Sequence, residues 1–116
     1  MPGKEPVLGA ATAAGRLGAI PSWRIEDNCL VRTYETDGWP STLLVVGAIA
    51  FVAEAANHHP DLTVSWPRVV VRLQTHSAGG LTDKDFELAQ KIEETVTWWP
   101  SRGWPGLEGN PKRFVK

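Results

Sequence analysis

Three histidines at the ends of predicted elements are the side chains in this sequence best suited to chemistry. His58 and His59 stand together before Pro60, and His76 follows an apolar segment that alternates in polarity. Imidazole donates and accepts protons near neutral pH without special tuning. Any one of these histidines alone would more often be a polar chain end, but their joint placement favours a shared proton-transfer site.

Glu54 lies four residues before His58 in a predicted helix. That spacing places both on one helix face, so we expect a hydrogen bond that fixes one imidazole tautomer. Glu54, His58 and His76 also offer two nitrogens and one carboxylate to a metal ion. This alternative is weaker, because His58 and His59 would diverge by about 100° on a helix and no second acidic cluster has ligand spacing. We therefore expect no metal.

Two further features offer weaker chemistry. Cys29 has no histidine near it in the sequence, so a thiol nucleophile is not expected. The pair Gly79-Gly80 precedes a predicted helix but lacks the further glycines, or the Gly-Lys-Ser/Thr string, of phosphate-binding loops. A turn is the better account of these glycines.

Length and composition limit the kind of domain that can hold these residues. The chain has 116 residues, is 42% hydrophobic and 22% charged, and carries a net charge of −1. A single soluble domain with this net charge is not expected to bind nucleic acid or an anionic membrane by electrostatic attraction. A single cysteine excludes an internal disulfide and favours a reducing, cytoplasmic compartment. Neither a signal peptide nor an unbroken run of about 18 apolar residues is present, so no membrane span is expected.

The predicted elements form two strand-strand-helix units. Alternating polarity predicts hairpins over 23–36 and 62–76. An alanine-rich apolar run without alternation, beginning at Pro40, predicts a helix over 40–57, and apolar residues at helical spacing predict a helix over 82–98. A short helix at most fits the alanine-rich segment 10–20. The order predicts an α+β fold with an antiparallel sheet. We divide the chain into a weakly ordered N-terminal segment (1–20), a domain (21–98) and a Trp/Pro/Gly-rich tail (99–116).

Segment 43–53 in the first long helix contains no charged residue. A helix that is apolar nearly all round must be covered on more than one face. A small domain can hardly cover it alone, so we expect a homo-oligomer in which this helix or the last one is partly buried between subunits.

The histidines belong to a longer gapped string. It runs Glu54-Ala-Ala-Asn57-His58-His59-Pro60, five residues, Trp66, nine residues, His76, eight residues and Asp85. This string resembles the signature of the pterin-4a-carbinolamine dehydratases, also called 4a-hydroxytetrahydrobiopterin dehydratases. The Thr75-His76 pair and the Gly80-Leu81-Thr82 turn also fit, and a string of this length is far more specific than a three-residue motif.

The resemblance implies a fold, an assembly and an activity. The fold would be a four-stranded antiparallel sheet with two long helices and a short N-terminal one on one face, assembled as a homodimer or homotetramer. The reaction would be dehydration of a 4a-hydroxytetrahydropterin to the quinonoid dihydropterin, without cofactor or metal. It needs one proton delivered to the leaving hydroxyl and another removed from the adjacent ring nitrogen, which imidazoles can do.

The resemblance also implies roles for particular residues. His58, His59 and His76 would be catalytic, without an assignment of acid and base among them. The substrate-binding positions would be Glu54, Asn57, Trp66 and Asp85. Asp85 also has the spacing of a capping box with Thr82, and Trp66 is either core at a strand end or a pocket wall, of which core is favoured.

The C-terminal tail departs from this family pattern. Trp98, Trp99 and Trp104 lie at or beyond the end of the last predicted helix. Exposed tryptophans either fold back over the domain or wait for a partner, and we favour folding back. A branch similar to the dehydratases in fold comprises Rubisco assembly factors associated with α-carboxysomes, and a modified tail fits that branch. The intact histidine set fits an enzyme better. Animal members also serve as dimerisation cofactors of a transcription factor, which no residue here selects.

Overall fold

Four strands and three α-helices make up the described part of the chain. The computed structural model describes residues 6–100, 103–104, 106–107 and 113–116. The elements in chain order are helix α1 (Ala10–Arg16), a 3₁₀ turn (Leu17–Ala19), strands β1 (Arg24–Glu26) and β2 (Cys29–Glu35), helix α2 (Trp39–Ala56), strands β3 (Asp61–Ser65) and β4 (Arg68–Leu73), and helix α3 (Asp83–Val96).

The four strands form one antiparallel sheet in the order β1-β2-β4-β3. Asp27 and Asn28 join β1 to β2, both with positive φ, as tight hairpin turns require. The central pair is registered with Leu30 opposite Leu73 and Tyr34 opposite Val69. The prediction of an α+β fold with a four-stranded antiparallel sheet is confirmed.

One face of the sheet carries the core. In β4 the residues Val69, Val71 and Leu73 are fully buried and alternate with partly exposed neighbours, as the period of two predicts. The helices cover this same face. Side chains from both long helices enter the core, among them Val45, Ile49, Phe86, Leu88, Ala89 and Ile92.

Strand β4 is shorter than the predicted segment 69–76. It ends at Leu73, the last residue of β4 that is paired with β2, opposite Leu30. Thr75 instead forms an isolated bridge with Gly80. The consequence is a tight turn over 75–80 that carries His76 at the edge of the core.

Helix α2 is apolar on nearly every side. Val45 and Ile49 face the core, while Leu44 and Phe51 are exposed, Phe51 by 75%. Its 18 residues, with a mean hydropathy of 1.6 and 28% of the segment buried, meet the criterion for a membrane span by length and composition only. Core helices of soluble proteins meet the same criterion, so this is weak evidence for a membrane.

A polar cluster around Glu93 joins α3 to the sheet. The Glu93 carboxylate accepts hydrogen bonds from Trp23 Nε1 (2.9 Å), Tyr34 Oη (2.7 Å) and the guanidinium of Arg32 (3.0 and 3.1 Å). Burial acts to raise the pKa of Glu93, but the bonds from Arg32, Tyr34 and Trp23 outweigh it and hold that pKa below its ordinary value. Burial and the Glu93 carboxylate raise the pKa of Tyr34.

The Glu93 cluster predicts a pH-dependent contribution to stability. Because the folded-state pKa of Glu93 is depressed, its contribution is present above the unfolded value of about 4.3 and is lost as pH falls through the folded value. The free energy of unfolding of Glu93→Gln is therefore expected to be about 1–3 kcal/mol lower than that of the wild type at pH 7. It should also decrease less than the wild-type value on acidification. Urea unfolding from pH 7 to pH 3 measures both, and parallel pH profiles would contradict this account.

Both ends of the chain contact the domain. Arg16 in α1 forms an ion pair of 2.6 Å with Asp83, and Leu8 N–H donates to Leu81 O at 2.8 Å. At the other end Val115 is buried, and Lys116 N–H donates to Glu35 O at 2.8 Å.

The tryptophans near the tail differ in their surroundings. Arg113 lies over the Trp99 ring at 5.3 Å, whereas Trp98 and Trp104 are 55% and 58% exposed. The predictions for residues 1–5 and for 101–102, 105 and 108–112 of the tail lie outside the described residues. The last two residues of the tail therefore pack on the domain, but the expectation that the tryptophans find cover is not met at Trp98 and Trp104.

Candidate active site

The end of α2 sets the direction of the two adjacent histidines. Asn57 adopts a left-handed conformation with φ of 51°, and His58 N–H donates to Ala53 O at 3.1 Å, which is the Schellman arrangement of a helix end. Asparagine tolerates this conformation better than most residues with a side chain. Pro60 then prevents the helix from resuming. His58 and His59 thus leave the helix in a bend rather than continue its surface.

A buried carboxylate holds His58. Asp85 has no exposed surface, and its Oδ1 lies 2.7 Å from His58 Nε2. Its Oδ2 accepts from Thr75 Oγ1 at 2.8 Å and from Thr82 N–H at 2.9 Å. The bond from Thr82 N–H completes the capping box of α3, so Asp85 has the capping role that its spacing predicts. Because a carboxylate only accepts, His58 donates from Nε2 and presents Nδ1 as its remaining nitrogen.

His59 is held by a second, exposed carboxylate. Its Nε2 lies 2.9 Å from Glu54 Oε1. The predicted hydrogen bond between Glu54 and His58 is therefore wrong. The i,i+4 spacing brings Glu54 and His58 together only if both residues are helical. The left-handed Asn57 ends the helix before His58, and His59 binds Glu54 instead.

His76 lies on the turn that follows β4. Thr75 O accepts from the N–H groups of Ala78 and Gly79 at 3.0 Å each, and Gly79 has φ of 76°, a conformation that favours glycine. The His76 side chain is exposed and has no hydrogen-bond partner among the described residues. It is thus available to a ligand.

The three histidines line one cleft of about 270 Å³. Asn57, predicted to bind substrate, also lines it. Glu54 and Asp85 do not line it and instead bind the imidazoles of His59 and His58. Sequence reasoning missed several polar positions at this cleft. They are Gln74, Ser77 and Lys84, all within two residues of a predicted site residue, and Thr75 of the Thr75-His76 pair lines the cleft with them.

Trp66 does not join this cleft. It lies at the turn between β3 and β4, and the six residues of β4, a span of about 20 Å, separate it from the His76 turn. Its side chain is 66% exposed, so the interpretation as core is wrong. Its backbone carbonyl accepts from Thr42 Oγ1 at 2.8 Å and anchors the start of α2. Within one chain, Trp66 lies at the end of the sheet opposite the histidines.

The cleft is equipped for proton transfer. Two imidazoles each have one nitrogen tied to a carboxylate and the other nitrogen left for a ligand, and a third imidazole is unattached. Such carboxylate–histidine pairs fix the tautomer and orientation that acid–base chemistry needs. The described residues contain no group of three or more His, Cys, Asp or Glu side chains placed to hold a metal ion.

Comparison with known proteins gives a consistent result over most of the chain. Residues 6–95 match the family model described as Pterin 4 alpha carbinolamine dehydratase. A Chloroflexus aurantiacus protein provisionally named pterin-4-alpha-carbinolamine dehydratase is 46% identical over 78% of this chain and 98% of its own length. A Roseiflexus castenholzii protein with the same provisional name is 42% identical over 78% of this chain and 97% of its own length.

A solved structure has the same fold. It is a Brucella melitensis protein described as a transcriptional coactivator/pterin dehydratase, and it matches with a TM-score of 0.74 at 26% identity. The match covers 78% of this chain and 98% of that one.

Proposed function

We propose that this chain, which belongs to the pterin 4-alpha-carbinolamine dehydratase family, dehydrates 4a-hydroxytetrahydropterins by histidine acid–base catalysis. The observation that carries the proposal is the convergence of His58, His59 and His76 on one cleft. Membership of the family supports a dehydratase in general, and the cleft supports this reaction in particular.

The reaction requires two proton transfers at neighbouring atoms of a bicyclic ring system. The bond from C4a to the hydroxyl oxygen breaks, and the lone pair of N5 forms a C4a=N5 double bond. The N5 proton is lost and the hydroxyl leaves as water, giving the quinonoid dihydropterin. No electron is exchanged, so an acid near the hydroxyl and a base near N5 suffice.

The side chains of the cleft match these needs. His58 and His59 offer Nδ1 because Asp85 and Glu54 bind their Nε2 atoms, and His76 approaches from the turn after β4. Asp85 and Glu54 act through the imidazoles and are positioning residues. Because the imidazoles are oriented before the substrate binds, the entropy of fixing them is not lost during the reaction.

Polar side chains in the cleft suit the pyrimidine ring of a pterin. That ring presents an amide carbonyl, ring nitrogens and an exocyclic amino group. Asn57 and Gln74 carry amides, and Ser77 a hydroxyl, each able to donate and accept. Asn57 is the member of this group that the sequence indicates as substrate-binding. We leave Trp66 out of the proposed site, since it lies at the far end of the sheet.

We also propose that the chain forms a homodimer or homotetramer. Leu43, Leu44 and Phe51 are exposed large apolar residues on α2, which exceeds what a soluble surface helix usually presents. Multi-angle light scattering at micromolar concentration is expected to give two or four chain masses. Leu44→Glu should shift the mass toward one chain, and a wild-type monomer would contradict the proposal.

A Rubisco assembly factor is the second candidate function. The exposed Trp98 and Trp104 favour it, since exposed tryptophans often anchor partners. The dehydratase is preferred because the full histidine set is present with its carboxylates, and a chaperone has no need of such an arrangement. The packing of Val115 further indicates that the end of the tail serves the chain's own fold.

One experiment separates the two functions. Purified protein is mixed with a 4a-hydroxytetrahydropterin generated in the assay, and with Rubisco subunits in a parallel pull-down. A dehydratase speeds loss of the 4a-hydroxy species well beyond the spontaneous rate and captures no Rubisco. Capture of Rubisco without any acceleration would replace the proposed function by the alternative.

A further inference from the structure

An apolar groove of about 400 Å³ lies between α2 and α3 beside the histidine cleft. Its walls are Phe51, Val52, Ala55 and Ala56 from α2 and Leu88 from α3. The groove is larger than the cleft, and its walls are as apolar as those of ordinary small-molecule sites. The proton-transfer chemistry uses none of these five residues.

The groove and the cleft are continuous. His58 and Lys84 line both, so the imidazole held by Asp85 stands at the junction between a polar and an apolar compartment. The cleft alone, at about 270 Å³, is slightly smaller than the range of about 300–1,000 Å³ typical of sites that enclose a small organic ligand. Because His58 lines both compartments, a bicyclic substrate whose reacting atom lies at His58 also faces the groove on one side.

The polarity of a pterin matches this division. Its reacting carbon, C4a, lies at the ring fusion, with the polar pyrimidine ring on one side and C6 with its substituent on the other. With C4a at the histidines and the pyrimidine ring toward Asn57 and Gln74, the C6 substituent lies on the side of His58 where the groove begins. We infer that the α2–α3 groove is a subsite for the C6 substituent and that it selects pterins with an apolar, ring-sized group there. This inference rests on the proposed dehydratase function.

A second copy of the chain is the competing occupant of the groove. Lys84, Glu87 and Lys91, all exposed, border it. Charged side chains are depleted in the cores of protein interfaces because burying them is costly. They are common at the mouths of small-molecule sites, where they stay in water. Of the three exposed residues that support the oligomer, Leu43 and Leu44 lie in the N-terminal half of α2 outside the groove, so the contact can form there without Phe51.

The test compares two 4a-hydroxytetrahydropterins, one with hydrogen and one with phenyl at C6. Burial of a phenyl group against apolar walls is expected to raise kcat/KM of the wild type about tenfold for the phenyl substrate. Ala55→Trp fills the groove from an exposed helix position and should abolish that preference, with kcat/KM for the unsubstituted pterin unchanged within about twofold. Ala50→Trp is the matched control, since Ala50 is exposed on the same helix outside the groove, and it should keep the preference.

Each result decides the inference. Turnover of both pterins at equal kcat/KM by the wild type overturns the subsite and leaves the dehydratase standing. An equal loss for both substrates in Ala55→Trp, together with a change of mass in light scattering, assigns the groove to a second copy and also overturns it. Turnover of neither pterin defeats both the inference and the proposed function.

Discussion

Replacing His76 with alanine is expected to lower kcat/KM for dehydration by about a hundredfold or more, with the fold intact. The imidazole is exposed at the cleft, and no described residue depends on it for a hydrogen bond. Its loss therefore removes a proton carrier and no stabilising contact. Steady-state dehydration kinetics and thermal unfolding of the same preparation measure the two effects separately. His59→Ala, which gives up one exposed bond to Glu54, should behave in the same way.

Two matched variants control for the His76 result. His76→Gln keeps a side chain of similar size that can hydrogen-bond but cannot carry a proton at neutral pH, so its activity should stay as low as that of His76→Ala. Ala78→Ser alters a residue of the same turn that does not line the cleft, and it should keep activity within about threefold. Full activity in His76→Ala would show that this histidine is structural.

Asp85→Asn is expected to reduce both stability and rate. The buried carboxylate accepts from His58, Thr75 and Thr82 N–H, and an amide cannot accept on both of its terminal atoms. Removing one partner of a buried, hydrogen-bonded pair costs about 3 kcal/mol, which for a domain of this size lowers Tm by more than 10 °C. With His58 no longer held, kcat should fall about tenfold when it is measured well below the melting transition.

Thr82→Ala separates the two roles of Asp85. It removes the hydroxyl that caps α3 and lies 2.7 Å from Thr75 Oγ1, but leaves the bond between Asp85 and His58 in place. It should lose about 1 kcal/mol of stability with kcat nearly unchanged. If Asp85→Asn, although destabilised, keeps the wild-type kcat, then Asp85 is only a capping residue and His58 needs no orientation.

Much of the fold follows from local sequence patterns. The alternation from Val69 to Leu73 identifies β4 and its buried face, and Thr82 with Asp85 marks the start of α3. Strand ends are less predictable, because an alternating sequence continues whether or not a neighbour exists to pair with it. Gln74 continues the alternation of β4, but the pairing of β4 with β2 ends at Leu73.

The site was predictable in its residue types and less so in its pairing. His58, His59 and His76 stand out by type and position, but which carboxylate binds which imidazole depends on one left-handed residue, Asn57. Trp66 lies away from the cleft for a related reason, since spacing along the sequence does not show how far apart the two ends of a hairpin are. The apolar groove arises from two helices packed side by side, and no segment of the sequence encodes it alone.

The central claim is that the three histidines at the cleft catalyse dehydration. The most direct measurement is the first-order decay of a 4a-hydroxytetrahydropterin in buffer, with the wild type, and with the double variant His59→Ala/His76→Ala. The double variant keeps the His58–Asp85 bond, so it should fold like the wild type. We predict that the wild type accelerates the decay manyfold and that the double variant returns it close to the buffer rate. A wild type no faster than buffer, or a double variant as fast as the wild type, would contradict the claim.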